Sequence, residues 1–306
     1  MTVYDNLMQQ IDDAGLLFNV TSHPMLARLE KNEATGKFST CPIPNKRALI
    51  NAKSGEVISV VSDRYKVVTN EQIFSSFCKS IENSGVDADG ARVNVSQTAS
   101  GGRAMVDFVF PAHQLQVAGD DSSTALQMCA LNSFDGSHRY TVKAGGLRMK
   151  CLNGQILGDI VGSYSSTHTA SLDVQASADY IVQMITDFNT AGEYWSRMMQ
   201  TPITWEVADD VIKMFLDLPE DFHPGEKHNA RYEHCEALVG RYFQEMGPNL
   251  YALYNALTDY VSHPIRQSQN RTVKTTRERA KVQAILNKIP SVLTASFPYR
   301  ETADIV

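Results

Sequence analysis

Residues 124–143, TALQMCALNSFDGSHRYTVK, decide the fold class. Thr124 to Asn132 reads as a strand, and Ser137 to Lys143 as its partner. Between them, Asp135-Gly136 suits the positive backbone angles of a tight hairpin turn. Alternation along the second strand sets Arg139, Thr141 and Lys143 on one face and His138, Tyr140 and Val142 on the other.

Upstream, a further hairpin is expected. Ala91 to Thr98 alternates through Val93 and Val95, Ser100-Gly101-Gly102 supplies the turn, and Ala104 to Phe110 returns. Before that, Val57 to Val61 reads as a strand, Asp63-Arg64 as a turn and Tyr65 to Val68 as a second short strand. Asn70 is then placed to cap a helix whose Ile73, Phe74, Phe77 and Ile81 share one face. Residues 1–55, with Pro42 and Pro44 close together, read as an arm.

Downstream of Gly158 the period changes to that of helices. Ala178, Ile181, Val182, Ile185 and Phe188 line one, and Thr204 caps the next after Pro202. Cys235 to Met246 forms a third, closed by Gly247, and Pro248 suits the first turn of a fourth carrying Leu250, Leu253, Tyr254, Leu257 and Val261 on one side. A last helix runs from Thr275 to a stop before Pro290. The expected class is α+β: an arm over 1–55, an antiparallel sheet with a packed helix over 56–165, and a helical domain over 166–306.

At 306 residues, with 43% apolar and 20% charged side chains, the chain can bury a large core in more than one lobe. No apolar run is long enough to span a bilayer as a helix, and the N-terminus lacks the basic start and apolar stretch of a secretory signal. A cytoplasmic location is therefore expected. Five scattered cysteines without a C-x-x-C pair read as reduced thiols. The net charge of −6 opposes polyanion binding unless cations gather locally.

Several segments in order resemble a phage and plasmid-like family catalogued as domain of unknown function 932. They are Val61-Ser62-Asp63-Arg64-Tyr65-Lys66-Val67-Val68, Asn132-Ser133-Phe134-Asp135-Gly136-Ser137, and Arg148-Met149-Lys150-Cys151-Leu152-Asn153-Gly154, followed by His168 and by the segment Leu250 to His263. The resemblance covers about residues 56–295 and implies a mobile-element context. It carries no catalytic or binding residue with it.

Cations do gather. Arg266, Arg271, Lys274, Arg277, Arg279, Lys281 and Lys288 face only Glu278 within their segment, a net of +6, so the rest of the chain carries −12. On a helix, Arg277, Lys281 and Lys288 return to nearly one direction beside the apolar sector of Val282, Ile285, Leu286 and Ile289. A second block comprises Arg139, Lys143, Arg148 and Lys150, with no acid between Asp135 and Asp159. Were the two blocks to share a groove, phosphates would be held there, and an exposed Tyr65 or Tyr140 would stack on bases. The competing reading is that each block only solvates its own element.

Enzyme signatures are missing: there is no nucleophile elbow, Walker loop, H-E-x-x-H or dinucleotide fingerprint. Ser100-Gly101-Gly102 and Ala144-Gly145-Gly146 read as hairpin turns. His223, His228 and His234 with Cys235 do not have zinc-ligand spacing. No metal or cofactor is expected. The pattern points to a nucleic-acid-binding protein of a mobile element that works as a homo-oligomer, favouring single-stranded DNA in binding or annealing. The alternative is a non-enzymatic inhibitor of host-defence or replication proteins, and a third reading is a hydrolase using His168 with Asp159 or the neighbouring serines.

Overall fold

The computed structural model describes residues 2–31, 36–149, 153–156, 163–169, 172–219, 222–223 and 229–263. Its elements run α1 (Val3–Asp13), β1 (Val20–Lys31), β2 (Phe38–Asn51), β3 (Val57–Ser62), α2 (Asn70–Asn83), β4 (Arg92–Gln97), β5 (Arg103–Gln116), β6 (Ser123–Ser133), β7 (Tyr140–Arg148), β8 (Asn153–Ile156) and β9 (Ser163–Ser166). Helices α3 (Val174–Met199), α4 (Trp205–Leu216), α5 (Ala230–Met246) and α6 (Leu250–Ser262) follow. The α+β class holds, with antiparallel sheets first and helices after.

Strands β4 to β8 form an antiparallel sheet in sequence order, and β9 pairs with β7 beside them. The register follows from alternation. Val106, Phe108 and Phe110 of β5, Met128 and Ala130 of β6, and Tyr140, Val142 and Ala144 of β7 all enter the main core. Helix α2 covers this face with Ile73, Phe74, Phe77 and Ile81 fully buried, and Phe77 stacks on Phe108 at 4.3 Å between ring centres. Each such side chain contributes about 1.5–3 kcal/mol by leaving water.

The N-terminal segment joins this body at both ends. Leu7 and Ile11 of α1 lie in the main core, and the β1–β2 hairpin pairs with β3 through Lys46↔Ser62 and Arg47↔Val61. The boundary expected at residue 55 thus falls between two paired strands. Beyond Lys46, toward its tip, the hairpin has no third strand among the described residues, and Leu26, Leu29 and Phe38 stand exposed on it.

Some local expectations differ from the fold. Tyr65 to Val68 is not a strand, because the Tyr65 N–H donates to the Ser62 carbonyl and the Lys66 N–H to the His168 carbonyl. Thr69, not Asn70, caps α2, in a reciprocal box with Gln72. Asn70 is instead fully buried: its Nδ2 donates to the Leu16 carbonyl at 3.1 Å, and its Oδ1 accepts from Asn132 Nδ2 at 2.8 Å. This pair pins α2 between the strand β6 and the link after α1.

In the helical half, Thr204 caps α4 as expected and Gly247 closes α5 at φ 80°. Asn249 caps α6, so Pro248 precedes the helix and its carbonyl accepts from the Ile203 N–H. Helix α6 is buried on all sides, including Ala252, Asn255, Ala256 and Thr258, which makes it the centre of this half and not an amphipathic wall.

Gly145-Gly146 lies inside β7, not in a turn. A Cβ on Gly146 would stand 2.6 Å from the Trp195 ring and collide with the Thr124 methyl, so only glycine lets α3 approach the sheet this closely. Urea unfolding of Gly146→Ala should show a loss of about 1–3 kcal/mol through overpacking. A wild-type midpoint would contradict that contact.

Candidate functional site

Three chain segments converge beside the β6–β7 turn. The β6–β7 turn itself opens after Ser133 and uses Gly136 at φ 70°, which brings Ser137, His138 and Arg139 back over the sheet end. Strand β3 and the β3–α2 link pass alongside and are each tied down once: the Ser59 hydroxyl of β3 donates to the Phe134 carbonyl and the Tyr65 hydroxyl of the link to the Ser133 carbonyl, each at 2.5 Å. The segment after β9 is held to that link, as Lys66 Nζ donates to the Leu172 carbonyl at 2.9 Å.

Together they enclose a crevice of about 410 Å³, to which Arg64, Arg139, Ser137, Thr167, His168 and Tyr65 contribute. Among the described residues no carboxylate lines it. Arg64 and Arg139 are exposed and form no ion pair among the described residues. Lys46, exposed on β2, is the cross-strand neighbour of Ser62, another lining residue. The nearby carboxylate of Asp135 is engaged by Arg103 Nε at 2.6 Å and by the Ser137 N–H at 2.9 Å. Burial opposes its ionisation, but the bonds from Ser137 and Arg103 outweigh this and hold it below the usual carboxylate range. The Asp135 charge is therefore taken up by Arg103 and the Ser137 N–H.

His168 closes the inner side. Its ring lies against Tyr65 at 5.0 Å between ring centres and 18° between planes, and is only 6% exposed. Neither ring nitrogen has a hydrogen-bond partner among the described residues. Burial lowers its pKa below 6.5, against a smaller opposing contribution from a Lys66 backbone contact that falls short of hydrogen-bond geometry, and burial raises the Tyr65 phenol. A desolvated, unpaired polar group of this kind costs about 1–3 kcal/mol. No bond joins His168 to Ser165, Ser166 or Thr167: the Ser165 hydroxyl pairs with Thr141 and that of Thr167 with Thr169. A serine–histidine nucleophile is not assembled there, and Asp159 lies outside the described residues.

Of the expected phosphate-binding block, the structure brings only Arg139 into the crevice. Lys143 sits half-buried on the outer face of β7, opposite Cys129 and Ser163, without an ion pair among the described residues. Arg148 is corrected: it is completely buried, with Nε 2.7 Å and Nη2 2.6 Å from the two Asp120 oxygens and Nη2 2.8 Å from Glu245. It faces the carboxylates and not solvent, so it cannot contact a strand. Tyr140 is also fully buried and unable to stack on a base. Lys150, Arg266, Arg271, Lys274, Arg277, Lys281 and Lys288 lie outside the described residues.

Arg64 and Lys46 were not anticipated. Arg64 was visible only as half of a turn dipeptide, and nothing local announces its approach to Arg139. The arm also has a charge bias: residues 20–55 hold Arg28, Lys31, Lys37, Lys46, Arg47 and Lys53 against Glu30 and Glu33. Arg28 covers the Phe38 ring at 3.3 Å, and Arg47 is bonded to Ser22. Among the described residues no cluster of His, Cys, Asp and Glu could hold a metal ion, and no helix is long and apolar enough to cross a membrane. The buried thiols of Cys78 and Cys235 are each pushed up to about 12 by desolvation, which leaves them unreactive.

The model of the family described as domain of unknown function DUF932 matches residues 57–286, and the chain belongs to that family. No curated protein and no solved structure matches it. The matched span contains Arg64, Arg139 and His168, but begins after the arm.

Two outcomes follow from this geometry. Arg148→Ala strands Asp120 in the interior and should cost about 3–5 kcal/mol in urea unfolding, whereas Arg139→Ala should stay within about 0.5 kcal/mol of wild type; equal effects would contradict the division between buried and free cations. His168 is neutral when folded and takes up a proton when unfolded, so stability should fall as pH drops below 6.5 toward its lowered folded value. In His168→Phe that part of the pH slope should vanish, as read from denaturant midpoints across the range.

Proposed function

We propose that the protein binds nucleic acid, preferring single-stranded DNA, and serves a mobile element such as a phage or plasmid in strand annealing during recombination, acting as a homo-oligomer. The observation that carries this reading is the convergence of Arg64 and Arg139, both without ionic partners among the described residues, on a crevice that no carboxylate of the described residues lines, with Lys46 paired across β2–β3 to Ser62 of its wall. Cations left unpaired in a chain of net charge −6 are placed to meet phosphates, and each phosphate neutralised releases counterions.

Annealing needs neither a catalytic residue nor a cofactor. It requires backbones to be neutralised while bases stay accessible. The basic β1–β2 arm extends the positive surface away from the crevice, and the C-terminal segment with Arg277, Lys281 and Lys288 supplies the largest cation excess in the sequence. The mobile-element setting and the oligomer rest on the family resemblance and on what annealing demands.

A second reading, a protein-binding inhibitor of host-defence or replication factors, draws on exposed Leu26, Leu29 and Phe38. Apolar side chains of this size are not needed to hold a phosphate backbone.

Titration of labelled single- and double-stranded oligonucleotides at two salt concentrations separates the readings. Nucleic-acid binding should weaken steeply with salt, and the double variant Arg64→Ala, Arg139→Ala should reduce the logarithmic salt slope for single strands by roughly 1.4, about 0.7 per lost phosphate contact. Replacing Arg277, Lys281 and Lys288 by Ala should lower affinity further. Absence of binding at low salt would overturn the reading and favour protein contacts.

A further inference from the structure

We infer that the crevice between the β3–α2 link, the β6–β7 turn and the segment after β9 is a site for a phosphate monoester, foremost the phosphorylated end of a nucleic-acid strand. The nucleic-acid reading above supplies the source of the phosphate, while the site itself rests on the geometry.

A monoester dianion presents acceptor oxygens on every free side and is repelled by a carboxylate in its wall. The crevice answers both demands. Its wall carries the Arg64 and Arg139 guanidiniums and the hydroxyls of Ser62, Ser137, Thr167 and Thr169, and contains no acid among the described residues. A planar guanidinium offers paired donors matched to phosphate oxygens. About 410 Å³ is room for a phosphate and part of the attached sugar.

Charge favours an end over the middle of a strand: a terminal monoester carries about −1.5 to −2 near neutral pH whereas an internal diester carries a single charge, and two guanidiniums line the crevice. Tyr65 and His168 stack across its inner side, and the Tyr65 hydroxyl is fixed to the Ser133 carbonyl.

His168 is an independent pointer to a ligand. Its ring lines the crevice, is more than nine-tenths buried, and has no partner for either nitrogen among the described residues. A neutral imidazole carries one N–H donor and one acceptor nitrogen. When the ring tilts off Tyr65, that N–H gains a phosphate oxygen as acceptor, which the unliganded arrangement denies it.

The test compares the full chain's affinity for two oligonucleotides of one sequence, bearing a 5′-phosphate or a 5′-hydroxyl, and follows the His168 ring resonances during titration with inorganic phosphate. The expected result is about a tenfold preference for the phosphorylated strand, equivalent to 1.4 kcal/mol, abolished in Arg64→Ala and in Arg139→Ala, with phosphate shifting the His168 signals. If phosphate moves His168 but strand ends are not distinguished, the site stands with a small phosphorylated compound as its ligand. Equal binding of both strands with His168 unmoved overturns the site and leaves nucleic-acid binding intact. Failure of both strands to bind removes the nucleic-acid reading by itself, and phosphate's effect on His168 still decides the site.

Discussion

A guanidinium removed from water sets the terms for the rest of this molecule. Arg148 ends β7 with no exposed surface, and its charge is answered by Asp120 from the β5–β6 loop and Glu245 from α5. Desolvating these ions costs several kcal/mol each, which the short paired bonds must offset, and loss of one partner leaves an uncompensated charge inside. The cluster therefore fixes where the sheet half meets the helical half. Just beside it, Trp195 of α3 lies over Gly146 in a space that admits no side chain.

The same constraint sorts the cations by role. A residue that joins strand, loop and helix by ionic bonds is not available to a ligand, so positive charge for the proposed recognition has to come from elsewhere. It comes from turns. Arg64 leaves β3 and Arg139 precedes β7, and both stand where hydrogen bonds from Ser59 and Tyr65 to the carbonyls of Phe134 and Ser133 clamp two turns together. The bonds that position the crevice use backbone acceptors, so its shape depends on the fold and its chemistry on a few side chains. At His168 that fold leaves two buried ring nitrogens without a hydrogen-bond partner among the described residues.

Much of the architecture could be read in advance. Alternation and the Asp135-Gly136 turn announce the β6–β7 hairpin, and the apolar faces of α2, α3 and α5 appear at helical spacing. What escaped depended on contacts between distant segments. Asn70 looked like a cap because its neighbour Thr69 is an equally good one, and only the tertiary bond to Asn132 distinguishes them. Gly145-Gly146 looked like a turn because the reason for glycine, the Trp195 ring, lies far along the chain. Arg148 was within reach: carrying the β7 alternation five residues past Lys143 puts it on the face of Tyr140 and Val142, which is the core face. The local density of positive charge around Arg148 masks that parity. Arg64 and His168 had no such signal, since their meeting with Arg139 is set by the packing of three loops.

The central claim is that unpaired cations and an unsatisfied histidine make one ligand-binding surface at the junction of these loops. Hydrogen exchange of the full chain with and without single-stranded DNA tests it most directly. Slower exchange at 62–66, 136–140 and 167–169 on adding DNA is the expected footprint. A footprint confined to the helical half, with those three segments unchanged, would contradict the account.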